Sequence, residues 1–259
     1  MKIPIFQVDA FTNEQFKGNP AAVCPLNEWM QDDLMQKIAA ENNLSETAFF
    51  VEKDDLYELR WFTPKGEVDL CGHATLASAY VICTYLDEKV ENIKFQTKSG
   101  LLEVSKEGGL FTLSFPARAG EKCNTPEELI KGLGKAPKEV YKSRDYLAVF
   151  ETEQDILDLE LNMDELKKLD GFGVIVTAVG KEVDFVSRFF APKAGIDEDP
   201  VTGSAHCTLV PYWKNRLNKD EFVALQLSER GGKLYCTDSG ETVKIAGEAV
   251  SYLEGCIYI

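Results

Sequence analysis

The chain has 259 residues, 44% hydrophobic and 27% charged, an ordinary globular balance at a length comfortable for two cores. A formal charge of −15 and a pI of about 4.7 argue against nucleic acid and anionic membrane surfaces as partners, because both would repel it. Seven cysteines without a C-x-x-C pair indicate neither a disulfide framework nor a zinc knuckle and suit a reducing cytoplasm; Gln7 and Asp9 interrupt any signal-peptide pattern, so none is expected, and no apolar run approaches the roughly 20 residues needed to span a bilayer.

Ile3 to Val8 reads as a buried strand closed by the turn residues Asp9 to Asn13. Gly18-Asn19-Pro20 is a loop in which glycine frees the backbone and proline extends Asn19, and Ala21 to Cys24 is a short strand. A helix is predicted from Asn27 to Glu41, with Met30, Leu34 and Ile38 on one face and Asn42-Asn43 as its stop. Thr47 to Val51 and Leu56 to Phe62 are strands, so Glu46 stands at the mouth of an apolar element. His73 to Leu86 carries Leu76, Tyr80 and Cys83 at helical spacing and is expected to be the buried central helix of the first half. Three strands between Asn92 and Phe115 complete that half as a meander.

The stretch from Ala117 to Pro137 has the weakest pattern and is the best boundary, giving lobes of residues 1–116 and 117–259, with the last strand free to cross back to the first lobe. The second half opens with strands at Glu139 to Ser143 and Tyr146 to Phe150 and a short helix capped by Asn162. Strands follow at Gly173 to Val179 and Val183 to Phe190, then a second central helix from Ser204 to Arg216. Strands from Phe222 to Ile259 finish the chain. Strands in meanders with one long helix per half predict an α+β fold.

The halves are diverged copies. Arg60-Trp61-Phe62-Thr63-Pro64-Lys65 corresponds to Arg188-Phe189-Phe190-Ala191-Pro192-Lys193, and each is followed by a polar turn, a glycine, a histidine and an apolar helix. The only two histidines, His73 and His206, fall in these matching places. Cys71-Gly72-His73 and Thr202-Gly203-Ser204 each put a glycine at a helix start, where unpaired backbone N–H groups could hold a carboxylate.

Glu46, flanked by Leu44 and Phe49-Phe50, is expected to be partly desolvated and so suited to moving protons near neutral pH. With His73 and Asp199 it makes a proton-transfer set drawn from separate segments. Two-thiol epimerisation is disfavoured, because the second half carries Asp199-Pro200-Val201-Thr202-Gly203-Ser204 where a partner thiol would be needed and Cys207 lies too late; Cys71 reads as structural. No P-loop, dinucleotide fingerprint or histidine-rich metal motif is present, and neither cofactor nor metal is expected.

Several stretches together resemble the PhzF-like family of phenazine biosynthesis. They are Asp9 to Thr12, Gly18 to Val23, Asn43 to Phe49, Arg60 to Pro64, Leu70 to Ala77 and Glu198 to His206. The resemblance implies a diaminopimelate-epimerase-like fold: two pseudo-symmetric domains, each a mostly antiparallel sheet curled around a central helix, with the active site in the cleft between them. It further implies a cytoplasmic, homodimeric isomerase that needs no cofactor. Its catalytic residues would be Glu46 as general acid/base, His73, Asp199 and Ser204, with Asn19, Ser45, Gly72, Thr202 and Gly203 binding a small cyclic or unsaturated carboxylic acid. The alternatives are a thiol-dependent epimerase or racemase working through Cys71, and a non-catalytic protein that binds small carboxylates.

Overall fold

Runs of β-branched and aromatic residues, punctuated by glycine and aspartate turns, fold as seventeen strands around six α-helices. The computed structural model describes residues 1–259 and divides them into two units, residues 1–114 with 246–259, and residues 115–245. The first unit contains β1 (Lys2–Ala10), β2 (Asn19–Leu26), α1 (Asp32–Asn42), β3 (Glu46–Lys53), β4 (Leu56–Thr63), β5 (Gly66–Val68), α2 (Gly72–Val81), β6 (Asn92–Thr97) and β7 (Gly100–Glu107). Most of β8 (Leu110–Pro116) and all of β17 (Ala249–Tyr258) also belong to it. The second contains β9 (Glu121–Lys122), α3 (Glu127–Leu133), β10 (Glu139–Lys142), β11 (Tyr146–Val149), α4 (Glu153–Leu157), α5 (Met163–Leu166), β12 (Val174–Val179), β13 (Phe185–Phe190), α6 (Gly203–Leu217), β14 (Glu221–Gln226), β15 (Gly232–Asp238) and most of β16 (Thr242–Gly247).

The duplication legible in the motifs recurs in the ladders. Strands β1-β2-β3-β4-β6-β7 pair antiparallel, parallel, antiparallel, parallel, antiparallel, and β10-β11-β12-β13-β14-β15 repeat that order. A bidentate ion pair is repeated as well. Arg60 of β4 grips Glu67 at 2.7 and 2.9 Å, and Arg188 of β13 grips Glu198 at 2.8 and 2.9 Å, each guanidinium lying over the phenylalanine two residues on. Forked arginine–carboxylate pairs fix geometry as well as charge, and here each ties a strand to the segment that leads into the central helix, Glu67 from β5 and Glu198 from the loop before α6.

Both central helices are wrapped by their own sheets. Helix α2 is buried from His73 to Ala79 and packs on β1, β2, β3 and β17, and Tyr80 meets Phe111 of β8 with ring centroids 5.9 Å apart. A helix apolar on all sides belongs inside a core. Helix α6 stacks Trp213 on Phe185 of β13 at 5.6 Å, donates the Trp213 indole N–H to Thr177 of β12 at 3.0 Å, and sets Tyr212 against Tyr141 of β10. Pro211 lies within α6 and has no N–H for the carbonyl of Cys207, which instead accepts from the Arg118 backbone N–H at 2.8 Å. The other face of the first sheet is closed by α1, whose Met35, Ile38 and Ala39 join Ile3, Cys24, Phe49 and Phe62 in one apolar cluster.

Four helices differ from the sequence reading. Helix α1 begins at Asp32 rather than Asn27, because Trp29 turns to β4 and donates its indole N–H to Glu58 at 2.6 Å. It ends at Asn42, with Asn43 as a left-handed cap. The predicted helix from His73 to Leu86 is α-helical only to Val81 and continues as a π turn, Ile82–Leu86, in which Tyr85 lies against Phe6. Helices α3 and α4 were not predicted, being too short to show a clear period.

Leu76 is fully buried in α2, so Leu76→Ala should destabilise the fold by about 2–5 kcal/mol with an unchanged denaturant slope in urea unfolding.

Candidate active site

Glu46 is the first residue of β3, and the parallel register sets it opposite Ala21 of β2. Asn19, two residues before Ala21, lies on the same face at the same end of the sheet, fully buried, and Ser45 immediately precedes Glu46. Helix α2 is laid on these strands with Gly72 first and His73 second, so its opening turn delivers the imidazole to the strand ends.

His73 Nε2 lies 3.1 Å from Glu46 Oε2, with the two side chains only 7% and 12% exposed. Despite that approach the atoms are out of line for a hydrogen bond, and both are buried without a hydrogen-bond partner. Leaving a buried polar atom unpaired costs about 1–3 kcal/mol, so the fold holds this pair against a penalty. On the opposite side of the ring, His73 Nδ1 is 3.5 Å from Cys71 Sγ. Burial and the nearby Glu46 carboxylate push the Cys71 thiol up to about 11, and it therefore keeps its proton at neutral pH. Burial alone would lower His73. Cys71 and Glu46 outweigh it and hold the ring well above its ordinary 6.5, the carboxylate supplying the charge since the thiol is neutral.

The donor atoms of Glu46, Cys71 and His73 all lie within 4.8 Å of one another. The ring splits its two nitrogens between the other residues, Nδ1 to the sulfur and Nε2 to the carboxylate.

The second unit assembles the remaining predicted residues. Thr202 caps α6 and donates its hydroxyl to Asp199 at 2.5 Å. Gln226 locks the loop from β14, accepting from Thr202 N–H at 2.8 Å and donating to the Asp199 carbonyl at 2.7 Å. Gly203 and Ser204 open the helix, and a Cβ added at Gly203 would meet no atom within 4 Å, which leaves the helix start approachable. Ser204 Oγ accepts from Arg144 at 3.2 Å, and Arg144 is braced by the buried carboxylate of Asp145 at 2.9 Å and stacked on Phe172. The nine predicted site residues thus form two groups. Asn19, Ser45, Glu46, Gly72 and His73 lie in the first unit, and Asp199, Thr202, Gly203 and Ser204 in the second.

Sequence reasoning passed over Gln226, Arg144 and Asp145. Gln226 had a signal: residues 222, 224 and 226 share the buried face of β14, and a glutamine in that register needs partners. Arg144 and Asp145 had none, since two charged residues at a strand turn usually face solvent.

A family profile described as phenazine biosynthesis-like protein, PhzC-PhzF, matches residues 8–255. The chain is similar to an uncharacterised isomerase of Pseudomonas aeruginosa, 51% identical over 259 residues and covering 100% of both chains. A crystal structure of a phenazine biosynthesis protein of the PhzF family from Enterococcus faecalis superposes with a TM-score of 0.98 at 47% identity, covering 100% of both chains. A hydroxyproline epimerase from Agrobacterium vitis shares the fold alone, with a TM-score of 0.62 at 9% identity over 99% of this chain and 92% of that one.

The two histidines do not fall in matching places: His73 is the second residue of α2 and His206 the fourth of α6, so Ser204 is the residue that answers to His73, and His206 has a different setting. His206 is fully buried, its Nδ1 lies 2.9 Å from the Thr202 carbonyl, and burial pushes it down to about 4. Its ring should therefore titrate near pH 4 by NMR. The unfolded chain takes up that proton first, so the stability due to a neutral His206 is complete above pH 6.5 and is lost as pH falls from 6.5 to about 4. At about 1.4 kcal/mol per unit the loss is about 3 kcal/mol, measurable by urea unfolding across that range.

Proposed function

The chain belongs to the PhzC-PhzF family of phenazine biosynthesis-like proteins and is an isomerase, and we propose that it moves a proton within a small cyclic or unsaturated carboxylic acid, with Glu46 as the general base. The observation that carries this reading is the buried pair Glu46 Oε2 and His73 Nε2, 3.1 Å apart and each lacking a hydrogen bond. Glu46 takes a proton from a substrate carbon, and the electron pair of that C–H bond enters the adjoining unsaturation. The proton is then returned to a different carbon, so one C–H bond breaks, one forms, and the double bond shifts with no net gain or loss of atoms. His73 Nε2, beside the carboxylate, steadies its charge before abstraction and shares the proton afterwards. A low-dielectric site strengthens both effects and slows exchange of the held proton with water.

The same reading assigns Asp199 to the proton shuttle and Ser204, with the N–H groups at Gly72 and Gly203, to the substrate carboxylate. Support comes from Thr202 and Gln226, which hold Asp199 in one position, and from the helix start at Gly203, where nothing crowds an arriving anion. It takes the working assembly to be a homodimer, which sedimentation would check. Chemistry through a Cys71 thiolate fits poorly, since the thiol is buried and ionises only near 11.

The test is a panel of small carboxylic acids incubated in heavy water and followed by NMR. Deuterium should enter at carbon with the natural chain, and Glu46→Gln, which keeps the shape but cannot act as the base, should lower that rate by about 100-fold or more while retaining binding. Undiminished exchange in the glutamine variant would refute the assignment. Tight binding without exchange by the natural chain would mark it as a binding protein.

A further inference from the structure

Arg144 lies in the turn between β10 and β11, outside every stretch that resembles the PhzF-like family, yet it reaches the second residue of α6. Its donors are committed one edge at a time. Nε and Nη2 donate to the Asp145 carboxylate at 3.1 and 2.9 Å, Asp145 being 1% exposed, and the guanidinium carbon lies 4.6 Å from the centre of the Phe172 ring. The other N–H of Nη2 donates to Ser204 Oγ at 3.2 Å. Nη1 has two more N–H groups and no protein acceptor. A carboxylate is buried only at a cost, and here it is buried against an arginine whose remaining donors lie towards the start of α6.

The direction of the Arg144–Ser204 bond decides what Ser204 does. An arginine only donates, so Ser204 Oγ accepts and its own proton is turned away from the guanidinium. In a planar guanidinium the Nη2–H that meets Ser204 runs parallel to an N–H on Nη1, so an anionic oxygen beside Ser204 Oγ is in reach of both Nη1–H and the serine hydroxyl. A second arginine serves the same helix. The Arg118 backbone N–H holds the Cys207 carbonyl at 2.8 Å, and Arg118 Nη1 is buried without a hydrogen-bond partner. Burial pushes the Cys207 thiol up to about 11, and Arg118 and Arg144 are the charges that draw it down, which puts both near the first turns of α6. The local carboxylates are already engaged: Asp145 answers Arg144, and Asp199 accepts the Thr202 hydroxyl. Two Nη1 groups, of Arg118 and Arg144, are left without acceptors.

We propose that Arg144 is a substrate-binding residue that makes the start of α6 select carboxylates over neutral groups of the same shape, by turning the Ser204 hydroxyl outward as a donor and adding Nη1–H to the same anion. This rests on the reading of Ser204 as a contact of the substrate carboxylate, and it adds a charged partner to that contact.

Nitrogen-15 NMR of the intact chain tests this without a known substrate, by titration with benzoate, crotonate and fumarate and, in parallel, with benzamide, crotonamide and fumaramide. The anions should move the Gly203 and Ser204 amide signals and bind tighter than their amides by about 10-fold or more. Arg144→Gln should remove most of that preference while amide binding stays as it was, and Arg144→Lys, which keeps the charge without the fork, should fall between. Because Arg144→Gln strands the buried Asp145 carboxylate, the double variant Arg144→Gln/Asp145→Asn is measured beside it, with thermal unfolding to show that each is folded, and should lose the preference equally. An undiminished preference for anions at Gly203 and Ser204 in a folded arginine variant would overturn the role of Arg144 and leave the carboxylate reading of Ser204 standing. Equal loss of acids and amides would mark the arginine as structural and overturn it as well. Anions that leave the Gly203 and Ser204 signals unmoved in the natural chain would overturn both readings.

Discussion

A carboxylate and an imidazole held 3.1 Å apart away from water are a costly arrangement, and much of the first unit is built to maintain it. The carboxylate is anchored by the parallel register of β2 and β3, which sets Glu46 at a strand mouth opposite Ala21. The imidazole is anchored by α2, a helix too apolar to lie anywhere but inside its sheet, so its second residue arrives at one depth. Neither side chain has much rotational freedom once buried, and the approach survives although the pair lacks an aligned hydrogen bond. Outside the folded chain the same groups would be solvated and far apart.

The second unit uses the same ladder for a different end. Its Arg188–Glu198 fork repeats Arg60–Glu67 and steadies a longer lead into the helix, fifteen positions from Arg188 to Gly203 against twelve from Arg60 to Gly72. The added length carries Asp199, which Thr202 and Gln226 bind in place. The α6 histidine, His206, is buried beside Phe185 and burial keeps it neutral. Duplication thus preserved the scaffold and let the groups at the helix starts diverge, Cys-Gly-His in one copy and Thr-Gly-Ser in the other.

A net charge of −15 makes local chemistry decisive for any small acid that binds. At the start of α6 the exposed guanidinium of Arg144 is aimed at Ser204 by the buried Asp145 carboxylate and by Phe172. Backbone N–H groups at a glycine-marked helix start add attraction without placing further cations on the surface.

Sequence alone determined the elements that obey a short-range rule: the strands by alternation, α2 and α6 by apolar spacing, the Asn43 stop, and the duplication by matching motifs. Glu46, His73, Asp199 and Ser204 were picked out by motifs at strand and helix ends together with the resemblance to the PhzF-like family. What depends on distance through space was not readable from the order of residues. The Nε2–Oε2 approach, the thiol at Nδ1, the Gln226 clamp and the carbonyl facing His206 each join atoms that the chain sequence separates or leaves free to turn. Cys71 read as structural because a thiol has no pattern of its own, and only the packing of α2 decided which atom its sulfur would face.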